Sequence, residues 1–165
     1  MHMSSRAPHK PDPSSNNYVE LVEVARLVQR DKTVVVAAAD FDYRQLAMNW
    51  HASAKRHYLP AIVLALDTPA YEFFRTRKVP VANLTSCMVS WRSTRLQRHI
   101  QRAVMERLVA ATALTLAGFD VLLADATSVF VADPLPFFRA ERKDVALFLQ
   151  RDSYPDPKLA IASHA

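Results

Sequence analysis

The chain has 165 residues, of which 50% are hydrophobic, and its formal net charge is +5. This length allows one domain of ordinary size with its own core and excludes two full domains. A glycine count of 1 excludes glycine-rich phosphate loops, and a cysteine count of 1 excludes an internal disulfide or a multi-cysteine zinc site. The positive charge permits attraction to phosphates, anionic lipids or nucleic acid without choosing among them.

Residues 1–17 are rich in Ser, Pro and Asn and contain almost no apolar side chain. Such a segment cannot offset the entropy cost of ordering, so the sequence predicts a flexible leader over 1–17 and one domain over 18–165. The leader is unlike a secretory signal, and no apolar run approaches the roughly 20 residues of a membrane-spanning helix. These features are typical of a soluble chain.

The first elements of the domain alternate between helical spacing and continuous apolar runs. Apolar residues recur at three- and four-residue intervals from Tyr18, which predicts a short amphipathic helix. Residues 33–39 are β-branched or apolar throughout, as expected of a central parallel strand that is covered on both faces. Residues 41–58 return to helical spacing, with Leu46, Trp50 and Ala54 on one inward stripe, and Pro60 ends that helix.

The same alternation continues to the end of the chain. We expect a buried strand over 61–66, a short helix over 70–77 that starts at Thr68 and Pro69, and a weaker strand over 79–84. A long helix is predicted over 93–117, capped by Gly118 in a left-handed conformation, and further strands over 120–124 and 145–149. The predicted inward residues of the long helix are Leu96, Ile100, Ala103, Val104, Leu108, Ala111 and Leu114.

Strands that alternate with helices imply right-handed crossovers. The predicted fold class is therefore α/β, a three-layer domain in which a mostly parallel sheet has helices on both faces. Three of the strands end at Asp40, Asp67 and Asp125, which places three carboxylates at the carboxyl edge, where such sheets bind ligands. Aspartate at a strand end is also an ordinary cap of the next helix, so both interpretations stay open for each residue.

Three blocks of the sequence resemble the nucleotide-diphospho-sugar transferase family, which are glycosyltransferases with the Rossmann-like GT-A fold. The first block is TVVVAAADFDYRQLAMNW at 33–50, and the second is IVLALD at 62–67. The third and most specific is GFDVLLADATSVFVADPLPFF at 118–138. It resembles the family's Gly-aromatic-Asp-Val strand, its Asp-x-Asp loop and its Asp-Pro-Leu-Pro-Phe continuation.

The resemblance implies a divalent cation, Mn²⁺ or Mg²⁺, held against the diphosphate of a sugar donor. Asp125 matches the first aspartate of the family's loop, whereas Thr127 replaces the second. Because a neutral hydroxyl is a poorer ligand for these hard cations than a carboxylate, we expect weakened metal binding. The resemblance also implies that Asp40 and Asp67 border the nucleotide pocket and that Arg107 approximates a basic residue early in the family's helix.

Other polar residues have ordinary explanations beside functional ones. Asp133 precedes Pro134 in a helix-start arrangement and is expected to be a structural cap. His51 and His57 are six positions apart and do not form the i, i+4 pair of a metal-binding helix. Five arginines either bind diphosphate or an acidic partner or form a solvated helix face. They are Arg92, Arg95, Arg98, Arg102 and Arg107.

The two tryptophans differ in expected role. Trp50 lies on an inward stripe and is expected in the core, whereas Trp91 lies in an aperiodic segment and either lines a pocket or packs in the core.

The leading hypothesis is a metal-assisted glycosyltransferase that moves a sugar from a nucleotide-sugar donor to the hydroxyl of a glycan or glycoprotein acceptor. No nucleic acid partner is expected under this hypothesis, and the resemblance implies the Golgi or secretory pathway. Few residues follow the resemblance, which implies that part of the acceptor region is missing. The alternatives are a catalytically degenerate member that keeps the fold and nucleotide binding, and a basic module that binds nucleic acid or an anionic surface.

Overall fold

A computed structural model of the chain describes residues 16–85 and 95–140, and it describes the side chains of 18–85 and 104–140. Strands and helices alternate along this part of the chain, as the sequence predicts. The elements are α1 (Asn16–Val28), β1 (Thr33–Ala39), α2 (Arg44–Arg56), β2 (Ala61–Ala65), α3 (Thr68–Thr76), β3 (Val81–Asn83), α4 (Arg95–Leu116), β4 (Asp120–Leu123) and α5 (Leu135–Ala140).

The four strands form one sheet in the order β3-β2-β1-β4, and each neighbouring pair is parallel. β1 is central, because Val36 pairs with Ile62 of β2 on one side and with Leu123 of β4 on the other. Its residues are nearly all buried, as a strand covered on both faces requires. The predicted α/β class, with helices on both faces of a parallel sheet, is confirmed.

Helices α1 and α4 cover one face of the sheet. Val34 and Val36 of β1 point to this face and pack with Leu21 of α1 and Leu114 of α4. The contact between the two helices includes a buried polar pair, in which the Tyr18 hydroxyl lies 3.2 Å from Oε2 of Glu106. The hydroxyl donates to the carboxylate, which gives the buried glutamate a hydrogen-bond partner.

The inward face of α4 differs from the prediction. Val104 and Leu108 are 41% and 50% exposed, whereas Ala110 and Ala113 are buried beside Leu114. Apolar residues lie on more than one side of this helix, so their spacing alone does not choose the face. The alanines turn inward because their small side chains let α4 approach α1 closely.

Helices α2 and α3 cover the other face. Trp50 and Phe74 are fully buried there, which confirms the core position predicted for Trp50. The predicted stripe of α2 is wrong at Leu46, which is 42% exposed, because Ala47 occupies the inward position one residue later. Successive helical residues point about 100° apart, so this one-residue shift exposes the leucine.

Three helices end in the same turn before the next strand. After α2, the amides of Tyr58 and Leu59 donate to carbonyls of the last helical turn at 3.0 Å each. Lys78 and Gly118 occupy the position of Tyr58 after α3 and α4. This hydrogen-bond pattern requires a left-handed residue, and φ is +56° at Tyr58, +55° at Lys78 and +89° at Gly118. The predicted left-handed cap at Gly118 is confirmed.

The chain divides into two compact units, Met1–Asp133 and Pro134–Ala165. In the second, the described part is short: α5 follows Pro134, and the Phe137 and Phe138 rings meet edge to face with centroids 5.4 Å apart. Within the residues that the structure describes, no helix is both long and apolar enough to cross a membrane. Residues 1–15 of the predicted leader and the predicted strand over 145–149 lie outside the described residues. The predicted end of the leader at residue 17 is wrong, because Asn16 and Asn17 belong to α1.

Candidate functional site at the carboxyl edge of the sheet

The strand order creates a switch point between β1 and β4. The chain leaves β1 through α2 toward β2 on one side, whereas β4 joins β1 on the other side after two further crossovers. The loops that follow β1 and β4 therefore diverge at the carboxyl edge, and the place between them, which we call the crevice, is where sheets of this kind bind ligands. Asp40 follows β1 and Asp125 follows β4, so the sheet brings two of the predicted site residues to this crevice.

The Asp125 side chain is 62% exposed at the end of β4 and is fixed by its own loop. Its Oδ1 accepts hydrogen bonds from the backbone amide and the hydroxyl of Thr127, each at 3.1 Å. The Asp125 carbonyl accepts from the Ser128 hydroxyl at 2.6 Å. Thr127 therefore holds one carboxylate oxygen in place, and the other oxygen, Oδ2, is turned away from this pair of bonds.

Arg107 reaches the same carboxylate from α4. Its Nη1 lies 3.7 Å from Oδ2 of Asp125 and donates to the Ala124 carbonyl at 3.4 Å. The Arg107 side chain is 23% exposed, so it approaches the loop from the packed side. A guanidinium at this place offers a fixed positive charge and several donors to an anionic ligand. The structure thus brings together Arg107, Asp125 and Thr127. Arg107 lies eighteen positions before Asp125 in the sequence, whereas Thr127 is close to Asp125 along the chain.

Asp67 and Asp40 have structural contacts at the neighbouring strand ends. Asp67 is the N-cap of α3: its Oδ1 accepts from the Ala70 amide at 2.8 Å, while its Oδ2 accepts from the Phe41 amide at 3.1 Å. Oδ1 of Asp40 accepts from the Tyr43 amide at 3.1 Å. The capping interpretation therefore holds for Asp67, whose two oxygens both bind backbone. Asp40 does not cap α2, because Tyr43 is the N-cap of that helix and has no side-chain cap, and the Asp40 bond lies within the turn before it. Contact with a nucleotide stays a prediction for both.

Asp133 lies at the opposite edge of the sheet. Its Oδ2 is 2.6 Å from Nη2 of Arg30, which lies at the start of the turn before β1. The length of β1 separates this amino edge from Asp125 by about 20 Å. Asp133 therefore does not join the Asp125 group, and the ion pair fixes the end of the segment that follows Asp125. Its role as a helix cap stays a prediction.

A serine holds the middle of that segment. The Ser53 hydroxyl, buried in α2, accepts from the Phe130 amide at 3.0 Å and donates to the Trp50 carbonyl at 2.7 Å. The Phe130 ring also lies 6.3 Å from the Trp50 ring. Sequence reasoning missed Ser53 and Arg30, because one serine within a helix and one arginine in a turn give no local signal of a partner many residues away.

An aromatic and cationic group borders the loop after β1, and the sequence does not indicate it. Phe41 and Phe73 meet edge to face with centroids 6.1 Å apart. The Arg44 guanidinium lies 4.0 Å from the Phe41 centroid, and that of Arg77 lies 3.7 Å from the Phe73 centroid. These contacts hold Phe41 at the rim of the crevice.

The donor set is small for a resident metal ion. Within 18–85 and 104–140, no group of three or more His, Cys, Asp or Glu side chains has the arrangement of a metal site. One exposed carboxylate does fit a Mg²⁺ or Mn²⁺ ion that takes most of its ligands from substrate phosphates and water. The residues present therefore fit a cation that arrives with a diphosphate.

The histidines and the remaining predicted residues do not add to this group. His51 is half-buried, and burial, followed by the charge of Lys55, lowers its pKa. The predicted surface or partly buried position of His51 is confirmed, and His57 is likewise partly buried. Trp91, Arg92 and the side chains of Arg95, Arg98 and Arg102 lie outside the described residues.

A parallel sheet with a β3-β2-β1-β4 order places this chain in the class of open α/β domains, which bind ligands at the switch point of the sheet. The sequence profile described as nucleotide-diphospho-sugar transferase matches residues 54–163, and the chain belongs to that family. The beta-arabinofuranosyltransferase RAY1 of Arabidopsis thaliana is 25% identical over 138 residues, which cover 78% of this chain and 24% of RAY1. The chain thus spans a minor part of that relative's length. No solved structure matches this chain.

Proposed function

We propose that the chain binds a nucleotide-diphosphate sugar at the carboxyl edge of β1 and β4 and transfers the sugar to the hydroxyl of a glycan or glycoprotein acceptor. The placement of Asp125 carries this proposal. It is an exposed carboxylate at the switch point, fixed by Thr127 and flanked by Arg107. Membership of the transferase family and the glycosyltransferase name of the relative support the same class of reaction.

The reaction exchanges one bond at the anomeric carbon. The acceptor oxygen forms a bond to this carbon, the bond from carbon to the diphosphate oxygen breaks, and the diphosphate leaves with the electron pair. The hydroxyl proton passes to a base, to which we assign no residue. Since negative charge grows on the leaving diphosphate, fixed positive charge beside it lowers the barrier. Arg107 supplies such a charge from a partly buried position.

The second proposal concerns the cation. Asp125 would hold a Mn²⁺ or Mg²⁺ ion through Oδ2, because Oδ1 already accepts two hydrogen bonds from Thr127. Nη1 of Arg107 lies 3.7 Å from Oδ2, so an ion there would share this oxygen with the guanidinium. When bound, such an ion neutralises charge on the leaving diphosphate. Thr127 contributes by holding the carboxylate in one orientation, not by adding a negative charge. We therefore expect metal affinity to be low in the absence of a diphosphate.

A catalytically degenerate member is the second candidate, and the Thr127 contact favours it. With a hydroxyl in place of a carboxylate, the loop keeps its hydrogen bonds but has less negative charge with which to retain a cation. Such a protein would bind the nucleotide diphosphate through Arg107 and backbone amides, with no help from metal. The basic binding module predicted as a third possibility would bind no nucleotide diphosphate at all.

Calorimetry with a panel of nucleoside diphosphates, with and without Mn²⁺, separates the three. Metal-enhanced binding that Asp125→Asn abolishes supports the transferase site. Equal binding with and without Mn²⁺ identifies the degenerate member. No nucleotide binding, together with salt-sensitive RNA binding, refutes both and leaves the basic module.

Restoring a second carboxylate tests the loop directly. We expect Thr127→Asp to strengthen Mn²⁺-dependent binding about tenfold, because one added charge near a dication in an exposed site contributes on the order of 1–2 kcal/mol. Ser128→Asp is the matched control: it adds the same charge one residue later, where the side chain contacts the Asp125 carbonyl and not its carboxylate. Equal gains in both variants would show that the geometry of the loop is irrelevant to the metal.

A further inference from the structure

The three most exposed large apolar side chains of the described residues stand in solvent at the amino edge of the sheet, opposite Asp125. Leu27 is 86% exposed, Tyr58 is 84% exposed and Val131 is 90% exposed. They lie in the last turn of α1, in the turn before β2 and in the segment after β4. We call these three residues the amino-edge patch. Single exposed apolar residues are normal on a protein surface, so the patch has meaning only if its members are neighbours.

Arg30 makes them neighbours. Its Nη1 donates to the Tyr58 carbonyl at 3.2 Å, and its Nη2 forms the 2.6 Å ion pair with Asp133. Val131 is two residues before Asp133, and Leu27 is three residues before Arg30. One guanidinium thus links the three segments that carry the patch, so that their exposed side chains stand at the same edge of the sheet.

Exposed basic residues lie at the same edge of the sheet as the patch. Helices α1 and α2 both end there, and each carries basic residues in its last turn. Acidic residues at this edge are fewer than basic ones. They are Asp31 and Asp120, since Asp133 is paired with Arg30. The exposed basic residues are Arg26, Lys32, Lys55, Arg56 and Lys78. Cations at helix ends also stabilise the helix dipole, but this does not account for the apolar side chains among them.

Tyr58 has an unfavourable backbone conformation for its type. Its φ of +56° lies in the left-handed region, where Gly118 serves the same turn after α4. A bulky residue in this region costs about 1–2 kcal/mol relative to glycine. The side chain is 84% exposed, so no packing within the domain offsets this cost. Lys78 holds the equivalent position after α3 at φ +55°, so an aromatic and a basic side chain are both kept at this edge where glycine would be less strained.

We infer that the amino-edge patch binds the surface of an anionic lipid bilayer. Leucine and valine side chains gain by entering the acyl boundary, tyrosine suits the headgroup level, and the basic residues attract anionic headgroups. A polynucleotide offers the basic residues an equal partner but gives Leu27 and Val131 nothing to bury against. Binding in this orientation leaves the Asp125 crevice, at the other edge, open to water.

Co-sedimentation of the 165-residue chain with vesicles tests the inference. We expect binding to phosphatidylcholine vesicles that contain about a third phosphatidylserine, weaker binding to phosphatidylcholine alone, and loss of the difference at about 0.5 M salt. The triple variant Leu27→Ser, Tyr58→Ser, Val131→Ser should weaken binding by at least about tenfold, since it removes the side chains that leave water. Val19→Ser is the matched control, because Val19 is 51% exposed at the other end of α1.

The remaining outcomes overturn the inference. Absence of vesicle binding, equal binding to neutral vesicles, an unaffected triple variant, or RNA binding without vesicle binding each contradicts it. If the triple variant loses its circular dichroism spectrum, Lys55→Glu with Arg56→Glu takes its place. Both side chains are exposed in the last turn of α2, and the same loss of anionic-vesicle binding is expected.

Discussion

Gly118 and Lys78 occupy the same position in equivalent turns, and this predicts stability changes of opposite sign. A β-carbon at Gly118 would meet nothing within 4 Å, so Gly118→Ala adds only the strain of a left-handed residue, at φ +89°. That strain is about 1–2 kcal/mol, and the reduced freedom of the unfolded chain offsets about 0.4–1 kcal/mol of it. We expect a net loss of roughly 1 kcal/mol, and a gain of similar size for Lys78→Gly.

Urea and thermal unfolding followed by circular dichroism measure both changes. A change of 1 kcal/mol corresponds to a midpoint shift of about 3–5 °C for a domain of this size. Lys78→Ala is the control, because alanine keeps the left-handed strain at φ +55° while removing the charged side chain. The reasoning fails if Gly118→Ala is as stable as the parent chain, or if Lys78→Ala gains as much as Lys78→Gly.

Two further changes test the contacts of α2. Ser53→Ala removes the acceptor of the Phe130 amide and should lower the free energy of unfolding by about 1–3 kcal/mol. Binding of the nucleotide-sugar donor should also weaken, because the segment after Asp125 loosens. Thr112→Ala removes an exposed hydroxyl from α4 and should change the free energy of unfolding by less than about 0.5 kcal/mol, and equal effects of the two variants would contradict the buried role of Ser53. Burial lowers the pKa of His51 from 6.5, so the unfolded chain takes up a proton at a higher pH than the folded one, and stability should fall as pH drops below that value. His51→Asn should reduce this loss in unfolding measured between about pH 7.5 and pH 5.5, and an unchanged pH dependence would contradict it.

The elements with continuous apolar runs are predictable from sequence, because a strand covered on both faces must be apolar throughout. Which face of α2 and of α4 turns toward the core is less predictable. Leu46 and Leu108 are as apolar as the residues that turn inward, but Ala47 and Ala110 fit the close contacts that the neighbouring elements allow. Which of two apolar stripes of a helix is buried depends on the shape of the neighbouring elements of the domain.

For the candidate site, the order of strand and aspartate along the chain already places Asp125 at the carboxyl edge, since parallel strands all end there. Its partner Arg107 follows from the sequence only through family resemblance, and its approach to the Asp125 carboxylate is a property of how α4 packs against the sheet.

Alternation of apolar runs with helical spacing by itself determined the α/β class, the parallel direction of the strands and the left-handed cap at Gly118. These follow from interactions between residues close along the chain. The tertiary structure alone decided the β3-β2-β1-β4 order, the approach of Arg107 to Asp125 and the assignment of Asp133 to the opposite edge. The Arg30 contact with Asp133 joins residues separated by 103 positions. Such pairs form only when packing brings distant segments together, and local sequence carries no record of that distance.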